Sequence, residues 1–255
     1  MRYLFLFVFL QTALSALYMG NPAEPEIIDK GFFIPQSSSF GLKVSYEGDV
    51  VFDRKLRSIS HAHGRIDNFE MTFNQAVVAL NYLDRFELYG NGGAWSSTFS
   101  FRPKSDQQRR EFQTHDHWTG GGGARFLLAQ WGNTGIGLDG KIQWGKAGVK
   151  WIAVNGVSHA SGAHLFYREW QASFGVYHTI DLFTPYFGVK YSNVHSRVSH
   201  LSASVYPHGH FKMYNRDRFG IAIGCTLSQG KKIDLFAEVE LIDEQALAFG
   251  GNLKF

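Results

Sequence analysis

Apolar and polar side chains alternate along the stretch FGLKVSYEGDVVF, residues 40–52. One parity runs from Phe40 to Phe52 and is apolar, whereas the other carries Lys43 and Glu47. A strand that crosses a membrane needs about 9 to 11 residues, with one face in lipid and the other towards a polar lumen. The stretch therefore predicts a membrane-spanning β-strand. A secreted β-sandwich is the alternative, because its strands are also amphipathic.

The same period of two recurs further along the chain. It is found in residues 166–177, 219–228 and 233–241. The last strand alternates as well, and the chain stops on an aromatic residue of its apolar parity. An amphipathic strand closed by a carboxy-terminal Phe is typical of the tail that bacterial barrel-assembly machinery receives. The residues of this expected assembly signal are Phe249, Leu253 and Phe255.

The composition excludes several classes of protein. The 255 residues include 28 Gly and 23 Phe and only 18% are charged, which is too aromatic for a disordered chain. No apolar run in the sequence approaches the ~20 residues of a spanning helix. The single cysteine, Cys225, excludes a disulfide scaffold and a cysteine-based zinc site. The net charge of +3 comes from residues spread along the chain, so we expect no nucleic-acid partner.

The amino terminus has the pattern of an export signal. Met1 and Arg2 are followed by the apolar run 3–10 and by small residues that end at Ala16. A basic start, a short hydrophobic region and a small-residue cleavage zone favour a signal peptide over a first buried strand or helix. The predicted organisation is a cleaved signal peptide at 1–16, an N-terminal periplasmic segment at 17–39 and a transmembrane barrel at 40–255.

The connections between the predicted strands alternate in length. Short ones are expected at 81–84, 131–134, 181–184 and 228–231, and long ones at about 54–65, 102–118, 155–163 and 196–215. Short periplasmic turns and long external loops are typical of outer-membrane barrels. The count is ten strands if residues 134–154 form one strand, and twelve if Gly145–Gly148 is a turn. The predicted fold class is all-β, an up-and-down antiparallel transmembrane β-barrel of ten strands, with twelve as the alternative.

The inward parity of these strands predicts a charged lumen with eight acids and four bases. An open lumen of this kind would attract cations weakly. The alternative is that acids and bases pair into a network that fills a narrow barrel, because the diameter grows with the number of strands. The expected lumen-lining residues are Lys43, Glu47, Glu70, Glu87, Arg125, Asp139, Lys141, Glu169, Lys190, Asp234, Glu238 and Glu240.

Three His-x-His pairs fall in predicted outer loops. They are His61 and His63, His115 and His117, and His208 and His210. Two imidazoles spaced in this way could share a metal ion, but a site also needs further ligands and a fixed geometry. We therefore expect solvated histidines, no metal site and no cofactor. No Ser, His and acid can be placed together from the sequence, so no catalytic residue is expected.

Several long segments resemble the chlamydial major outer membrane protein family. They are GNPAEP at 20–25, YEGDVVFDR at 46–54, ALNYLDRFELYGNGGA at 79–94, GARFLLAQWG at 123–132, REWQASFGVYHTIDLFTPYFGVKYS at 168–192, GIAIGCTL at 220–227 and LIDEQALAFGGNLKF at 241–255. The resemblance implies an oligomeric, trimeric porin of the outer membrane that carries small solutes and contributes to envelope integrity. This chain is shorter than typical members in its long loops. It also lacks the cysteines by which that family cross-links the envelope, so no disulfide network is expected.

The sequence thus predicts an integral outer-membrane porin for passive diffusion of small hydrophilic solutes and ions, with a structural contribution to the outer envelope. The alternative is a closed-barrel structural or adhesive surface protein that transports nothing. The expected partners are outer-membrane lipid, the barrel-assembly machinery and further copies of the chain in a trimer.

Overall fold

A computed structural model describes residues 18–26, 34–35, 37–59, 64–229 and 232–255. The predicted signal peptide at 1–16 lies outside these residues. Within the described part of the chain, no helix is both long and apolar enough to cross a membrane.

The described residues form fourteen antiparallel strands in one sheet. They are β1 (Phe40–Arg54), β2 (Leu56–Ser58), β3 (Gly64–Tyr82), β4 (Phe86–Pro103), β5 (Arg110–Thr114), β6 (His117–Trp131), β7 (Thr134–Val154), β8 (Val157–Ala160), β9 (His164–His178), β10 (Phe183–Ser199), β11 (His210–Asn215), β12 (Phe219–Gln229), β13 (Ile233–Leu241) and β14 (Glu244–Lys254).

Ten of these strands close into a barrel. The ring runs through β1, β3, β4, β6, β7, β9, β10, β12, β13 and β14, and β14 pairs with β1 so that Lys254 lies opposite Lys43. Residues 134–154 form the single strand β7, which settles the strand count at ten. The predicted ten-strand, up-and-down antiparallel barrel is confirmed, and the closed ring excludes the two stacked sheets of a sandwich.

The two ends of the barrel differ in their connections. At the short-turn end, β3 and β4 are joined by three residues, and Leu83 and Asp84 both adopt a positive φ, at 56° and 57°. Such a pair is typical of the tight hairpin turns that match strand twist. At the long-loop end, β2, β5, β8 and β11 lie within the loops and pair with barrel strands. They extend the barrel wall beyond the main ring.

The barrel wall is apolar outside and polar inside over most of its height. In β9 the outward Phe166, Trp170 and Phe174 are each 40% exposed, whereas the inward Glu169 and Gln171 are each 1% exposed. A water-soluble protein shows the reverse pattern, because exposing large apolar side chains to water is unfavourable. The outward face is therefore a surface for lipid.

Near the long-loop end the interior becomes apolar. Phe99 stacks on Phe112 with ring centroids 4.6 Å apart, and Phe101 stacks on Phe211 at 4.3 Å. Phe211 belongs to the loop strand β11, so one long loop supplies part of this core. We call this buried cluster the aromatic core, with Phe69, Phe73, Trp95, Phe99, Phe101, Phe112, Tyr167, Tyr206 and Phe211 as its aromatic members. It closes the barrel at the long-loop end.

Candidate functional site

The barrel interior near the short-turn end is occupied by the chain's own N-terminal residues. Residues 18–24 are buried there, and Tyr18 stacks on the inward ring of Phe236 with centroids 4.3 Å apart. The sequence predicts a periplasmic segment over 17–39, whereas the structure places 18–26 inside the barrel. The reason lies in tertiary contacts that no local pattern reveals. We call residues 18–26 the plug.

The plug is held to the barrel wall by hydrogen bonds. The Met19 amide donates to Glu238 Oε1 at 2.6 Å, and Asn21 Nδ2 donates to Thr226 Oγ1 at 2.9 Å. At its other end, Asn81 Nδ2 donates to the carbonyl oxygen of Pro25 at 2.8 Å. Because buried backbone groups need partners, these bonds fix the plug at several points of the wall.

Local turns give the plug its compact shape. The Ala23 amide donates to the side-chain oxygen of Asn21 at 2.9 Å, and the Glu24 amide donates to the Asn21 carbonyl at 3.0 Å. Asn favours such turns because its side chain can bond to the backbone two residues on. Glycine in the wall leaves the necessary space: a Cβ at Gly175 would lie 2.5 Å from Pro22 Cγ.

A first ion network joins the plug to the wall. Lys43 Nζ lies against the carboxylate of Glu24 and 2.9 Å from Glu87 Oε2. Arg125 continues the network, 2.9 Å from Glu87 and 3.2 Å from Asp139. Two bases thus pair with three acids within one connected cluster, which we call the plug network.

A second ion network lies between the plug and the aromatic core. Arg54 contacts Glu169 at 2.5 Å, Asp243 at 3.3 Å and the carboxylate of Glu244. Lys190 contacts Glu240 and Glu244 and lies 3.6 Å from Asp243. We call this cluster, with those six residues, the cross-lumen network. Its members come from β1, β9, β10, β13, β14 and the turn before β14, so it ties together distant parts of the wall.

The structure brings most of the predicted lumen residues into these networks or beside them. Among them, Lys141 Nζ lies 5.6 Å from the centroid of the Tyr18 ring, and Asp234 pairs at the short-turn end with Lys254, which is not among the predicted residues. The inward-facing predicted residues are Lys43, Glu47, Glu87, Arg125, Asp139, Lys141, Glu169, Lys190, Asp234, Glu238 and Glu240.

Glu70 is the exception and is a correction to the prediction. It is exposed on the outer surface of β3, where it accepts a hydrogen bond from Asn68 at 2.7 Å. At this level the inward positions belong to Phe69 and Met71, which pack in the apolar interior. Polarity is therefore inverted near the long-loop end: polar side chains face water outside, and apolar ones fill the inside.

Seven buried charged residues are absent from the prediction: Glu24, Asp49, Arg54, Arg110, Asp243, Glu244 and Lys254. Asp49 shares the inward parity of Lys43 and Glu47, so that parity could have revealed it. Arg54 lies beyond a register shift in the pairing of β1 with β14, at residues 51–53, which turns it from the outward to the inward side. Nothing in the sequence near Glu24 signals a partner inside a barrel.

The interior as described leaves no open passage along the barrel axis. Every charged side chain in the two networks is at most 5% exposed, which an aqueous channel would not allow. A small cavity beside the plug, lined by Tyr18, Lys43, Glu47 and Arg125 among others, has room for about one water molecule.

The predicted histidine pairs form no cluster with other ligands in the described structure. His117 begins β6, His115 lies two residues before it, and His210 begins β11. His61 and His63 lie outside the described residues. Among the residues that the structure describes, no group of three or more His, Cys, Asp or Glu could hold a metal ion. Cys225 is a free thiol on the outward side of β12.

Comparisons with known proteins find similar sequences among outer-membrane proteins. Residues 152–204, from the end of β7 to the loop after β10, match the family model of the Chlamydia major outer membrane protein. The major outer membrane porin of Chlamydia trachomatis serovar D is 23% identical over 376 aligned positions, covering 96% of each chain. That of serovar B is also 23% identical, over 377 positions and 96% of each chain. This chain is similar to the chlamydial major outer membrane proteins. The predicted resemblance is confirmed, and the protein is an integral protein of the outer membrane.

The alignments are longer than this chain of 255 residues, so they contain extended gaps in it. This agrees with the expectation that the chain is a short relative of the family. Among solved structures, an outer-membrane channel from Pseudomonas putida F1 is 11% identical, covering 89% of this chain and 100% of that one, with a TM-score of 0.42. OprG from Pseudomonas aeruginosa is 8% identical, covering 84% and 96%, with a TM-score of 0.40. We draw nothing on function from likenesses at this level.

Proposed function

We propose that this protein is a porin-like barrel that strengthens the outer envelope and is closed to solutes in the conformation described. The observation that carries the proposal is the filled interior: plug, two ion networks and aromatic core follow one another along the axis. An ion pair between opposite walls occupies the lumen at its level, because a barrel of ten strands is narrow. The names of the relatives, major outer membrane porins, support the porin-like part of the role.

The second candidate function is passive diffusion of small hydrophilic solutes and ions, as the sequence predicts. It is favoured by the names of the relatives and by the acidic excess of the interior. Passage would require the plug to leave and the cross-lumen network and aromatic core to separate. We propose no enzymatic activity, because the buried charges pair with one another and the relatives are named as porins.

Liposome swelling separates the two candidates. Folded protein in phosphatidylcholine liposomes is exposed to an isotonic pentose, and the rate of swelling is compared with that of protein-free liposomes. The closed barrel predicts equal rates for both. Faster swelling with the full chain would contradict it and establish passive diffusion. A variant that lacks residues 18–26 shows how much of the closure depends on the plug.

We further propose that Phe249, Leu253 and Phe255 present the chain to the barrel-assembly machinery. Leu253 is exposed on the outer surface of β14, and the Phe255 amide donates to the Leu42 carbonyl at 2.9 Å beside the barrel closure. The variant Phe255→Ser should accumulate less heat-modifiable, folded barrel in membranes, while Leu83→Ser in an exposed turn should not.

Chemical cross-linking in intact membranes tests the proposed trimer, which predicts a band at three times the protomer mass.

A further inference from the structure

Basic side chains cluster on the outer surface of the barrel wall near the long-loop end. They lie on four neighbouring strands, β7, β9, β10 and β11, and all are exposed. We call this cluster the basic patch, with Lys146, Arg168, His195, Arg197 and Lys212 as its members.

The strand register sets these basic side chains side by side. Arg168 of β9 lies directly opposite His195 of β10, and Arg197 of β10 lies directly opposite Lys212 of β11. Lys146 is in the same row as Arg197, with Phe166 between them. Directly opposite residues of antiparallel strands have Cβ atoms about 5 Å apart. The patch is therefore contiguous.

No acid neutralises the patch within the described structure. None of its five members forms an ion pair there, and the charges that act on His195 are those of Lys212, Arg168 and Arg197 alone. Like charges that lie directly opposite each other destabilise a sheet. Outward acids are available elsewhere, since Asp67 pairs with Arg65 and with Arg102 on β3 and β4. The positive charge of the patch is thus unpaired within the described structure, and an anion from outside the chain would stabilise it.

The level of the patch on the wall indicates where that anion lies. Trp170 and Tyr191 belong to an outward aromatic belt, and Arg168 lies two residues from Trp170 towards the long-loop end of β9. Aromatic belts mark the boundary between the hydrocarbon region and the lipid headgroups. Two residues of strand advance by about 7 Å, which places the patch among the headgroups. Because long loops face the exterior, these are the headgroups of the outer leaflet.

We propose that the basic patch binds the phosphate groups of a phosphorylated glycolipid in the outer leaflet. Arginine and lysine are suited to phosphate because they offer charge-assisted hydrogen bonds, which arginine can make in a bidentate fashion. The patch spans three inter-strand spacings, or about 14 Å, which is too wide for one phosphate. A headgroup that carries two phosphates on a disaccharide matches both the width and the charge of the basic patch.

Binding of diphosphoryl lipid A to the folded barrel in neutral detergent micelles tests the proposal. The variant R168Q/R197Q removes two charges from the patch, and R85Q/K104Q is the matched control. Arg85 and Lys104 are exposed and lie at the short-turn end and in the loop after β4. We expect the patch variant to bind about thirtyfold more weakly and the control to bind as the wild type does. A heat-modifiable shift on gels verifies that each variant is folded.

Two further probes separate the sources of phosphate. Dephosphorylated lipid A should bind the wild type no more tightly than diphosphoryl lipid A binds the patch variant. Micelles doped with phosphatidylglycerol should give a weaker binding signal that does not saturate. Equal loss of lipid A binding in the patch and control variants would overturn the proposal, as would equal binding of phosphatidylglycerol. Displacement of lipid A by millimolar inorganic phosphate would overturn the glycolipid assignment as well.

Discussion

The guanidinium of Arg54 in β1 lies 2.5 Å from the carboxylate of Glu169 in β9. These two strands are five apart in a ring of ten, so the residues belong to opposite walls of the barrel. A direct contact between opposite walls leaves no room for a solute at that level. The cross-lumen network is therefore both a brace between distant strands and a barrier along the axis.

Removal of the arginine should strongly destabilise the barrel. In Arg54→Ala the carboxylates of Glu169 and Glu244 stay buried without their shared cation. Breaking a buried pair in this way costs about 3 to 5 kcal/mol of folding free energy. The free energy of unfolding in detergent, measured by denaturant titration, checks this. The control Arg85→Ala, at an exposed turn, should change it by less than about 0.5 kcal/mol. Equal values for both variants would show that the network contributes nothing.

The aromatic core should depend on its loop-derived member. Phe211 is fully buried and stacks on Phe101. Phe211→Ala leaves a cavity that the surrounding strands cannot close, which costs about 3 to 5 kcal/mol. The same denaturant titration provides the measurement, with Val157→Ala in an exposed loop as the control. A loss below about 1 kcal/mol for Phe211→Ala would mean that β11 is not docked in the interior.

The plug should be protected from solvent in the native state. The amides of Met19 and Gly20 both donate to Glu238 inside the barrel. Hydrogen exchange of peptides covering residues 18–26 should therefore be slow, because exchange requires the plug to open. Glu24→Gln removes the charge that Lys43 faces, so it should accelerate this exchange. Exchange of the wild-type plug at the rate of an unstructured peptide would show that it lies outside the lumen.

A loop contact predicts a small dependence of stability on pH. Arg110 donates to Asp106 at 2.6 Å, and this hydrogen bond lowers the pKa of Asp106 below its ordinary value of 3.8. Its contribution is present above pH 3.8 and is lost as the pH falls through the lowered pKa. Because Asp106 is partly exposed, the contribution stays below about 1 kcal/mol. The difference in unfolding free energy between wild type and Asp106→Asn should shrink on acidification. A difference that grows would contradict this assignment.

The barrel itself was predictable from the sequence, because lipid and lumen impose a strict period of two on every strand. The long alternating stretch at 40–52 led to the correct architecture, whereas the choice between ten and twelve strands was made by the structure, in which residues 134–154 form one strand. The alternation predicted the wrong face where the surroundings of the wall change from lipid outside and a polar lumen inside to water outside and an apolar interior. Glu70 lies beyond the lipid, where the interior is apolar and the outside is water, so the polar parity there faces outward.

Other interior residues could not be predicted by alternation. Arg54 follows a register shift in β1 that exchanges the two faces, and such bulges leave no clear mark in a single sequence. Glu24 lies in a short irregular segment whose position depends on contacts more than 200 residues away, such as that with Asn252. The sequence left an open and a filled lumen as alternatives, and only the packed structure shows which residues occupy the interior.

Single-channel recording in planar lipid bilayers tests the closed lumen most directly. Folded full-length protein, inserted from detergent into neutral bilayers in 1 M potassium chloride, should give no resolvable conductance steps. The variant that lacks residues 18–26 should also remain silent or show only brief events, because the cross-lumen network and the aromatic core still fill the barrel. Stable, uniform steps with the full-length protein would contradict the closed barrel.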